Sequence, residues 1–212
     1  MTDPILKIVG LNKSFGPVHV LHDIDLAVYP GEVTALVGDN GAGKSTLIKC
    51  IAGVYTIDSG ELLWEGKRVR IHSPAEASAL GIEFVYQDLA LADNLDITQN
   101  MFLGRELHWG PFSRDGEMER QARETLTSLS VRTVESVRQV VASLSGGQRQ
   151  TVAIAKAVLW NGKVVFLDEP TAALGVAQTK QVLDLVRRLA DNGIGVVLIS
   201  HNMNDVMQVA DR

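Results

Sequence analysis

The sequence has one cysteine and no long apolar segment. Cys50 alone cannot form an internal disulfide or supply a cysteine-rich metal site, so we expect a protein of a reducing compartment. No apolar run approaches the roughly 18 residues that span a bilayer. Residues 1–4 lack the basic flank and apolar stretch of a signal peptide. If the protein works at a membrane, we therefore expect a partner to hold it there.

Positive charge is not in excess either. The chain has 20 Lys and Arg against 25 Asp and Glu, which gives a formal net charge of −5 at pH 7. The protein as a whole therefore has no positive field to attract nucleic acid or an anionic membrane. A polyanionic ligand must therefore be bound by a local site and not by the overall charge of the protein. With 212 residues, 46% of them hydrophobic, the chain is able to fill the core of one large domain.

Short runs of β-branched or apolar residues, each closed by turn residues, predict strands. The runs lie at 6–9, 24–28, 33–37, 61–64, 82–85, 164–167 and 196–199. Those at 33–37, 164–167 and 196–199 are continuously apolar, which is typical of strands covered by helices on both faces. The sequence therefore predicts an α/β fold around a mainly parallel sheet.

The ends of two predicted helices are marked by residues that typically begin or terminate helices. Residues 73–76 read Ser-Pro-Ala-Glu, which predicts an N-cap, a proline in the first helical position and a capping box. Gly81 predicts the end of that helix. Apolar residues at 182–189 repeat with the spacing of one helical face, and Gly193 predicts the end of this second helix.

Residues 88–141 differ from the sequence on either side. They are more polar and contain a helical pattern at 117–129, so we expect an inserted, mainly helical subdomain. Residues 1–87 and 142–212 would then form the core of a single domain that covers the whole chain, 1–212. The basic run at 67–70 is interpreted as a solvated strand and not as a nucleic-acid patch.

A phosphate-binding loop is the strongest motif. Residues 38–45 fit G-x-x-x-x-G-K-[ST] between a predicted strand and a helical stretch at 46–52, on which Cys50 should pack as a small apolar residue. The glycines let backbone N–H groups surround phosphate oxygens, Lys44 reaches the β- and γ-phosphates, and Ser45 can bind Mg²⁺. A glycine-rich turn without a ligand is the alternative. The candidate binding residues are Gly38, Asn40, Gly41, Gly43, Lys44, Ser45 and Thr46.

Two carboxylates end the apolar run at 164–169. Buried strands seldom end in two charges without a functional reason. Asp168 is suited to hold Mg²⁺, and Glu169 is suited to polarise an attacking water, because phosphoryl transfer needs positioning and charge control. The alternative is a solvated acidic turn, which the upstream phosphate loop disfavours.

A second anion-binding motif follows from Leu-Ser-Gly-Gly-Gln at 144–148, which opens a helical pattern. One nucleotide does not need two such motifs from one chain. Together with the phosphate loop and Leu-Asp-Glu-Pro at 167–170, this run resembles the nucleotide-binding domain of ATP-binding cassette (ABC) ATPases. The resemblance implies a P-loop NTPase core with a mainly parallel sheet, an N-terminal antiparallel β subdomain and the helical subdomain at 88–141.

The resemblance also implies roles for residues outside the phosphate loop. Two such domains, in a homodimer or in tandem, would face each other head to tail, so that Ser145, Gly147 and Gln148 would serve the ATP bound to a partner. Gln87 would contact Mg²⁺ and a membrane subunit, His201 would hydrogen-bond the γ-phosphate, and Phe15 would stack on adenine. The alternatives are an ordinary surface glutamine, a partly buried histidine and a core phenylalanine.

One position departs from the family pattern, because Gly175 stands where an aspartate is usual. The effect of this change is left open. Residues 171–175 and 88–106 nevertheless resemble the ATPases of bacterial monosaccharide importers of the ribose, xylose or fructose type. This implies a peripheral subunit on the cytoplasmic face of the inner membrane, with permease subunits, an indirect periplasmic sugar-binding partner and no nucleic acid.

Two other functions remain as alternatives. A soluble ABC ATPase of DNA repair or chromosome maintenance would need a long coiled coil or a DNA-binding surface, and only residues 88–144 separate Gln87 from Ser145. A regulatory module without catalysis is disfavoured by Glu169 together with His201. Family members usually continue beyond the position of Arg212, so we expect a chain truncated at its C-terminal end or half of a tandem protein.

Overall fold

The computed structural model describes residues 3–131 and 134–212. Met1 and Thr2, which belong to the stretch predicted to lack a signal peptide, lie outside the described residues, as do Arg132 and Thr133 of the predicted helical subdomain. The strands are β1 Leu6–Phe15, β2 Val18–Val28, β3 Val33–Leu36, β4 Ser59–Trp64, β5 Lys67–Val69, β6 Ile82–Val85, β7 His108–Trp109, β8 Phe112–Ser113, β9 Val164–Asp168 and β10 Gly195–Ile199. The α-helices are α1 Lys44–Ile51, α2 Pro74–Leu80, α3 Ile97–Phe102, α4 Asp115–Ser128, α5 Gly146–Leu159, α6 Val176–Asp191 and α7 Met203–Val209, with a 3₁₀ turn at Val141–Ser143.

The central sheet has the strand order β3-β10-β9-β6, and every neighbouring pair is parallel. Val165 of β9 and Val196 of β10 face one buried cluster, with α3, α4, α5, α6 and α7. Val164 and Val197 face a second cluster, with α1 and the other sheet. Both faces are therefore covered, as the continuously apolar runs predict. Because the strands are parallel, their carboxyl ends meet at one edge, where the loops after β3, β6, β9 and β10 converge.

A second sheet, antiparallel with the order β2-β1-β4-β5, confirms the N-terminal β subdomain. β1 and β2 extend well beyond the predicted runs at 6–9 and 24–28, because their polar halves pair across register shifts. The pairing of β1 with β4 is also irregular between Val9 and Asn12, and Gly60 of β4 allows it, because a Cβ there would lie 2.5 Å from the carbonyl oxygen of Gly10. Within the basic run at 67–70, Lys67–Val69 form β5, on which Lys67 and Arg68 are exposed, in agreement with the predicted solvated strand.

Helix ends agree with the sequence in most respects. The Ser73 side chain caps α2 by accepting a hydrogen bond from Glu76 N, and Gly81 ends the helix with φ 91°. The predicted reciprocal half of the capping box is wrong, since Glu76 accepts from His72 N at 2.9 Å instead of from Ser73 N. The helix predicted around 182–189 is the longer α6.

The stretch at 88–141 contains α3, a short hairpin of β7 and β8, and α4. The hairpin was not predicted, since its two-residue strands are exposed and have no pattern to reveal them. Met101, Met118 and Leu126 from this stretch share one buried cluster with α5 and β9. The division into a core and a helical subdomain at 88–141 stays a prediction. Among the described residues, no helix combines the length and apolarity needed to cross a bilayer.

Candidate nucleotide site

The predicted phosphate loop and the acidic strand end line one cleft of about 230 Å³. It lies at the edge of the central sheet where strands end at their carboxyl termini. Its lining residues are Val20, Asn40, Gly41, Gly43, Lys44, Ser45, Thr46, Gln87, Asp168 and Glu169. The loops after β3, β6 and β9 therefore meet as the sequence predicts, and β2 contributes Val20, which the sequence did not single out.

The loop between β3 and α1 needs its glycines. Gly38, Gly41 and Gly43 have φ values of 152°, 88° and 90°, which side-chain-bearing residues rarely adopt. At Gly43, which caps α1, a Cβ would also lie 2.9 Å from Leu21 Cδ2. The backbone there approaches the antiparallel sheet closely, so space and conformation both require glycine at Gly43, whereas the φ values favour it at Gly38 and Gly41.

Lys44 extends back along its own loop. Its Nζ donates to the carbonyl oxygens of Gly38 and Asp39 at 2.6 and 3.0 Å. Gly38 does not line the cleft, and its contribution is this carbonyl contact. The ammonium group is thus held by neutral acceptors near the N-terminus of α1. A phosphate group bound there would offer it charged acceptors instead.

The donor atoms suited to Mg²⁺ come from three loops. Ser45, Gln87 and Asp168 line the same cleft, and their side chains carry oxygen atoms, the ligand type that Mg²⁺ prefers. Burial and the neighbouring charge of Glu169 raise the pKa of Asp168, against a smaller lowering by Lys44 and Lys49. A cation beside Asp168 would compensate this carboxylate, so the residues fit the metal.

Glu169 and His201 are in direct contact, which the sequence did not predict. The Glu169 Oε1 atom accepts from the backbone N–H of His201 at 3.1 Å and lies 2.7 Å from its ring Nδ1. Each residue follows one of the adjacent parallel strands β9 and β10, and Glu169 N donates to Ile199 O at 2.9 Å. Glu169 has φ 50°, a left-handed conformation unusual for a residue with a side chain. Strand order, which the sequence does not reveal, decides this contact.

Phe15 lies at the end of β1 and does not line the cleft. It is 42% exposed, so the alternative of a core phenylalanine is wrong. Its ring packs edge-on against Tyr55 at 5.1 Å between centroids, and Lys13 Nζ lies 5.3 Å from its centre. Its role toward adenine stays a prediction.

The second anion-binding motif opens α5 as predicted. Ser145 caps the helix by accepting from Gln148 N at 3.3 Å, and Gln148 Oε1 accepts from Ser145 N at 2.8 Å. Gly147 packs against α6, where an added Cβ would lie 3.0 Å from Gln178 Cβ. The residues that line the cleft of this chain include none of Ser145, Gly147 and Gln148. The motif is therefore formed, and its assignment to a partner's nucleotide stays a prediction.

Gly175 caps α6 with φ −73° and ψ 161°. A Cβ at this position would meet no atom within 4 Å. Neither the backbone conformation nor the space around it requires glycine, so the departure from the usual aspartate has no local steric cause.

Comparison with known proteins identifies the family. Residues 21–172 match the family described as ABC transporter. The chain is 49% identical to a fructose import ATP-binding protein of Rhizobium meliloti, covering 99% of this chain and 84% of the relative. It is 47% identical to a xylose/arabinose import ATP-binding protein of Sulfolobus acidocaldarius, covering 98% and 82%. It is 42% identical to a ribose import ATP-binding protein of Escherichia coli O157:H7, covering 99% of this chain and 41% of the relative.

Solved structures agree with these sequence relatives. A nucleotide-free ATP-binding cassette of an ABC transporter superposes with a TM-score of 0.87 at 28% identity, over 98% of this chain and 85% of that one. The ADP conformation of another such cassette has a TM-score of 0.87 at 29% identity, over 99% and 86%. The chain therefore belongs to the ABC transporter family and has the fold of its ATP-binding cassettes.

Proposed function

We propose that this chain binds and hydrolyses ATP to energise an ABC importer, and that the imported solute is a monosaccharide. The observation that carries the first part is the convergence of Lys44, Asp168 and Glu169 on one cleft. The second part is supported by relatives named for import of fructose, xylose or arabinose, and ribose.

Five residues of the cleft, together with the adjacent His201, have roles in this proposal. Lys44 and the loop N–H groups would hold the β- and γ-phosphates, while Ser45, Gln87 and Asp168 would hold Mg²⁺, whose charge would neutralise that of the phosphate oxygens. Glu169 orients the water that attacks the γ-phosphorus as ADP departs. His201, whose ring is largely exposed beside Glu169, hydrogen-bonds the γ-phosphate.

A pair of cassettes completes the site in this proposal. The signature residues Ser145, Gly147 and Gln148 lie outside the cleft of their own chain. A second cassette, either another copy or a tandem domain, would place its own signature residues over the ATP held by this phosphate loop. Closure of the pair would then depend on ATP, and hydrolysis would reopen it.

The proposed partners are those of an importer. Permease subunits would hold the chain at the cytoplasmic face of the inner membrane and would receive its motion through residues 88–141 and Gln87. A periplasmic sugar-binding protein would act indirectly, through the permease. The net charge of −5 gives the protein no overall positive field that would attract nucleic acid.

The alternatives receive less support. The stretch between Gln87 and Ser145 contains α3, the β7–β8 hairpin and α4, which leaves no room for a long coiled coil, and the named relatives give no support to DNA repair or chromosome maintenance. The contact between Glu169 and His201 favours hydrolysis over a purely regulatory nucleotide site.

Phosphate release from ATP by the purified chain tests hydrolysis. We expect Glu169→Gln to slow it by about 10²- to 10⁴-fold while ATP still binds, the usual size of a lost general-base contribution. Glu61→Gln is the matched control, because Glu61 lies in the antiparallel sheet and pairs with Arg68. A parent chain without activity would contradict the proposal. Uptake of labelled fructose, xylose and ribose by vesicles that contain the chain and its permease tests the solute class.

A further inference from the structure

The loops that carry Glu169 and His201 are joined a second time, away from the cleft. Thr171, two residues after Glu169, donates its hydroxyl hydrogen to Asp205 Oδ2 at 2.6 Å. Asp205 belongs to the first turn of α7, which starts two residues after His201. The loop after β9 and the helix after β10 are therefore held together both at the cleft and behind it.

Burial strengthens the hydrogen bond between Thr171 and Asp205. Asp205 is 5% exposed, so water competes little for its carboxylate, and a hydrogen bond to a charged acceptor in such a place is stronger than at the surface. Removal of the Thr171 hydroxyl would leave the carboxylate short of a partner and would free the loop from α7.

The loop that contains Thr171 has an unusual backbone conformation, which other contacts must hold in place. Glu169 and Ala173, on either side of Thr171, have φ values of 50° and 60°. Such left-handed conformations persist in residues with side chains only where the surroundings hold them. Hydrogen bonds within the loop join Ala172 N to Glu169 O and Leu174 N to Thr171 O, but they do not fix the loop to another element. Glu169 fixes the start of the loop through its bonds to Ile199 O and His201 N, and the bond to Asp205 fixes the part that follows.

We propose that Asp205 is a positioning residue, which acts through Thr171 to fix the Glu169 carboxylate against the His201 ring. This inference rests on the proposed ATP hydrolysis for its consequence in activity. The claim about geometry does not depend on ATP hydrolysis. It states that the distance between Glu169 and His201 depends on the hydroxyl of Thr171. Neither Asp205 nor Thr171 lines the cleft, so neither touches the reacting atoms.

Three conservative variants separate positioning from stability. Thr171→Val keeps the shape of the side chain and removes the hydroxyl, whereas Thr171→Ser keeps the hydroxyl. Thr98→Val is the matched control, because Thr98 is 4% exposed and its hydroxyl bonds Val137 O at 3.2 Å, away from the cleft. Asp205→Asn keeps an acceptor oxygen but removes its charge, so it should weaken the bond and give an effect between those of Thr171→Ser and Thr171→Val.

The first readout is the nuclear magnetic resonance signal of the His201 ring in the full nucleotide-free chain. We expect Thr171→Val to shift it, and Thr171→Ser and Thr98→Val to leave it in place. The second readout is steady-state hydrolysis. A displacement near the reacting atoms costs up to about 10²-fold, so we expect Thr171→Val to lower kcat by about ten- to a hundredfold with KM within about twofold, and Thr98→Val to change neither.

A Thr171→Val chain whose His201 signal and kcat match those of Thr98→Val would overturn the inference. So would a loss of activity in Thr171→Ser equal to that in Thr171→Val, since the hydroxyl would then be irrelevant. If the parent chain hydrolyses no ATP, the proposed function fails, while the His201 signal still decides whether Thr171 positions the pair.

Discussion

The ammonium nitrogen of Lys44 lies 2.6 Å from the carbonyl oxygen of Gly38, at the beginning of the loop that Lys44 ends. A second carbonyl, that of Asp39, accepts at 3.0 Å. These partners hold the lysine against its own loop and leave its charge uncompensated by any ion pair among the described residues. Phosphate oxygens would offer this ammonium group charged acceptors in place of the two neutral carbonyl oxygens.

Loss of this cation should abolish most nucleotide binding. We expect Lys44→Ala to weaken ATP affinity by at least about 100-fold, because charge-assisted hydrogen bonds contribute about 1.5–3 kcal/mol each and Lys44 would make more than one to the phosphates. Isothermal titration calorimetry measures the change. Lys67→Ala, on the exposed strand β5, is the control. Equal affinities of the two variants would refute the phosphate-loop assignment.

Phe15 should contribute to binding through its ring. We expect Phe15→Ala to weaken ATP by about 1–3 kcal/mol, the scale of a base stacked on an aromatic ring. GTP should lose a similar amount, since stacking does not read the base edge. Phe112→Ala, on the exposed β7–β8 hairpin, provides the control. Unchanged affinity in Phe15→Ala would mean that adenine rests on another residue.

The sequence predicts the contiguous motifs of the site better than the contacts between residues that are far apart in the sequence. The phosphate loop, the strand end at Asp168 and the cap at Ser145 are contiguous motifs whose chemistry is fixed by neighbouring residues. The contacts of Glu169 with His201 and of Thr171 with Asp205 join residues far apart in sequence, and they exist only because β9 and β10 are adjacent. Periodicity identifies strands but not their order, which is why these contacts could not be predicted.

The same limit explains the errors in the fold. The polar halves of β1 and β2 are strands because they pair with each other, and no local pattern marks them. The carboxylate of Glu76 accepts from His72 because the chain before α2 turns toward it, a geometry that capping rules do not specify.

An aspartate should be tolerated at position 175. We expect Gly175→Asp to leave the melting temperature unchanged or slightly raised, because a Cβ there meets no atom within 4 Å and Asp is a good N-cap. Gly53→Asp is the contrasting control: a Cβ at Gly53 would lie 2.6 Å from Ser73 N, at φ 71°. Thermal unfolding followed by circular dichroism measures both. Strong destabilisation by Gly175→Asp would show an unrecognised steric requirement.

Mixing of two inactive variants tests the composite site. Lys44→Ala chains have an intact signature, and Ser145→Arg chains have an intact phosphate loop, so a mixed dimer contains one complete site. We expect each variant to be inactive alone and ATP binding or hydrolysis to recover partly on mixing, with parent activity rising with protein concentration by mass action.

The control mixes two separate preparations of Lys44→Ala, which should stay inactive. Parent activity that remains constant per molecule at dilutions where sedimentation detects only monomer would contradict a two-chain site.

Cys50 should be unreactive in the folded chain. It is 2% exposed, and burial raises the pKa of its thiol from 9.0 to about 11, so the reactive thiolate is scarce at neutral pH. The neutral thiol is favoured by folding, and this contribution to stability is complete below pH 9 and is lost as the pH rises through about 11. Alkylation followed by mass spectrometry should detect labelling only in denaturant. Fast labelling of the native chain at pH 8 would contradict the burial.

The position of β10 between β3 and β9 has a consequence for biosynthesis. β3, which leads into the phosphate loop, bonds β10 on one side and the backbone of Asp211 and Arg212 on the other. Both neighbours follow β3 in the sequence only after the whole stretch 37–194. While the ribosome is still adding residues 195–212, β3 has unpaired backbone groups on both sides, a state that exposes a nascent chain to misassociation and to chaperones. The phosphate loop that follows β3 can therefore rest on a fully paired strand only after residues 195–212 have been synthesised.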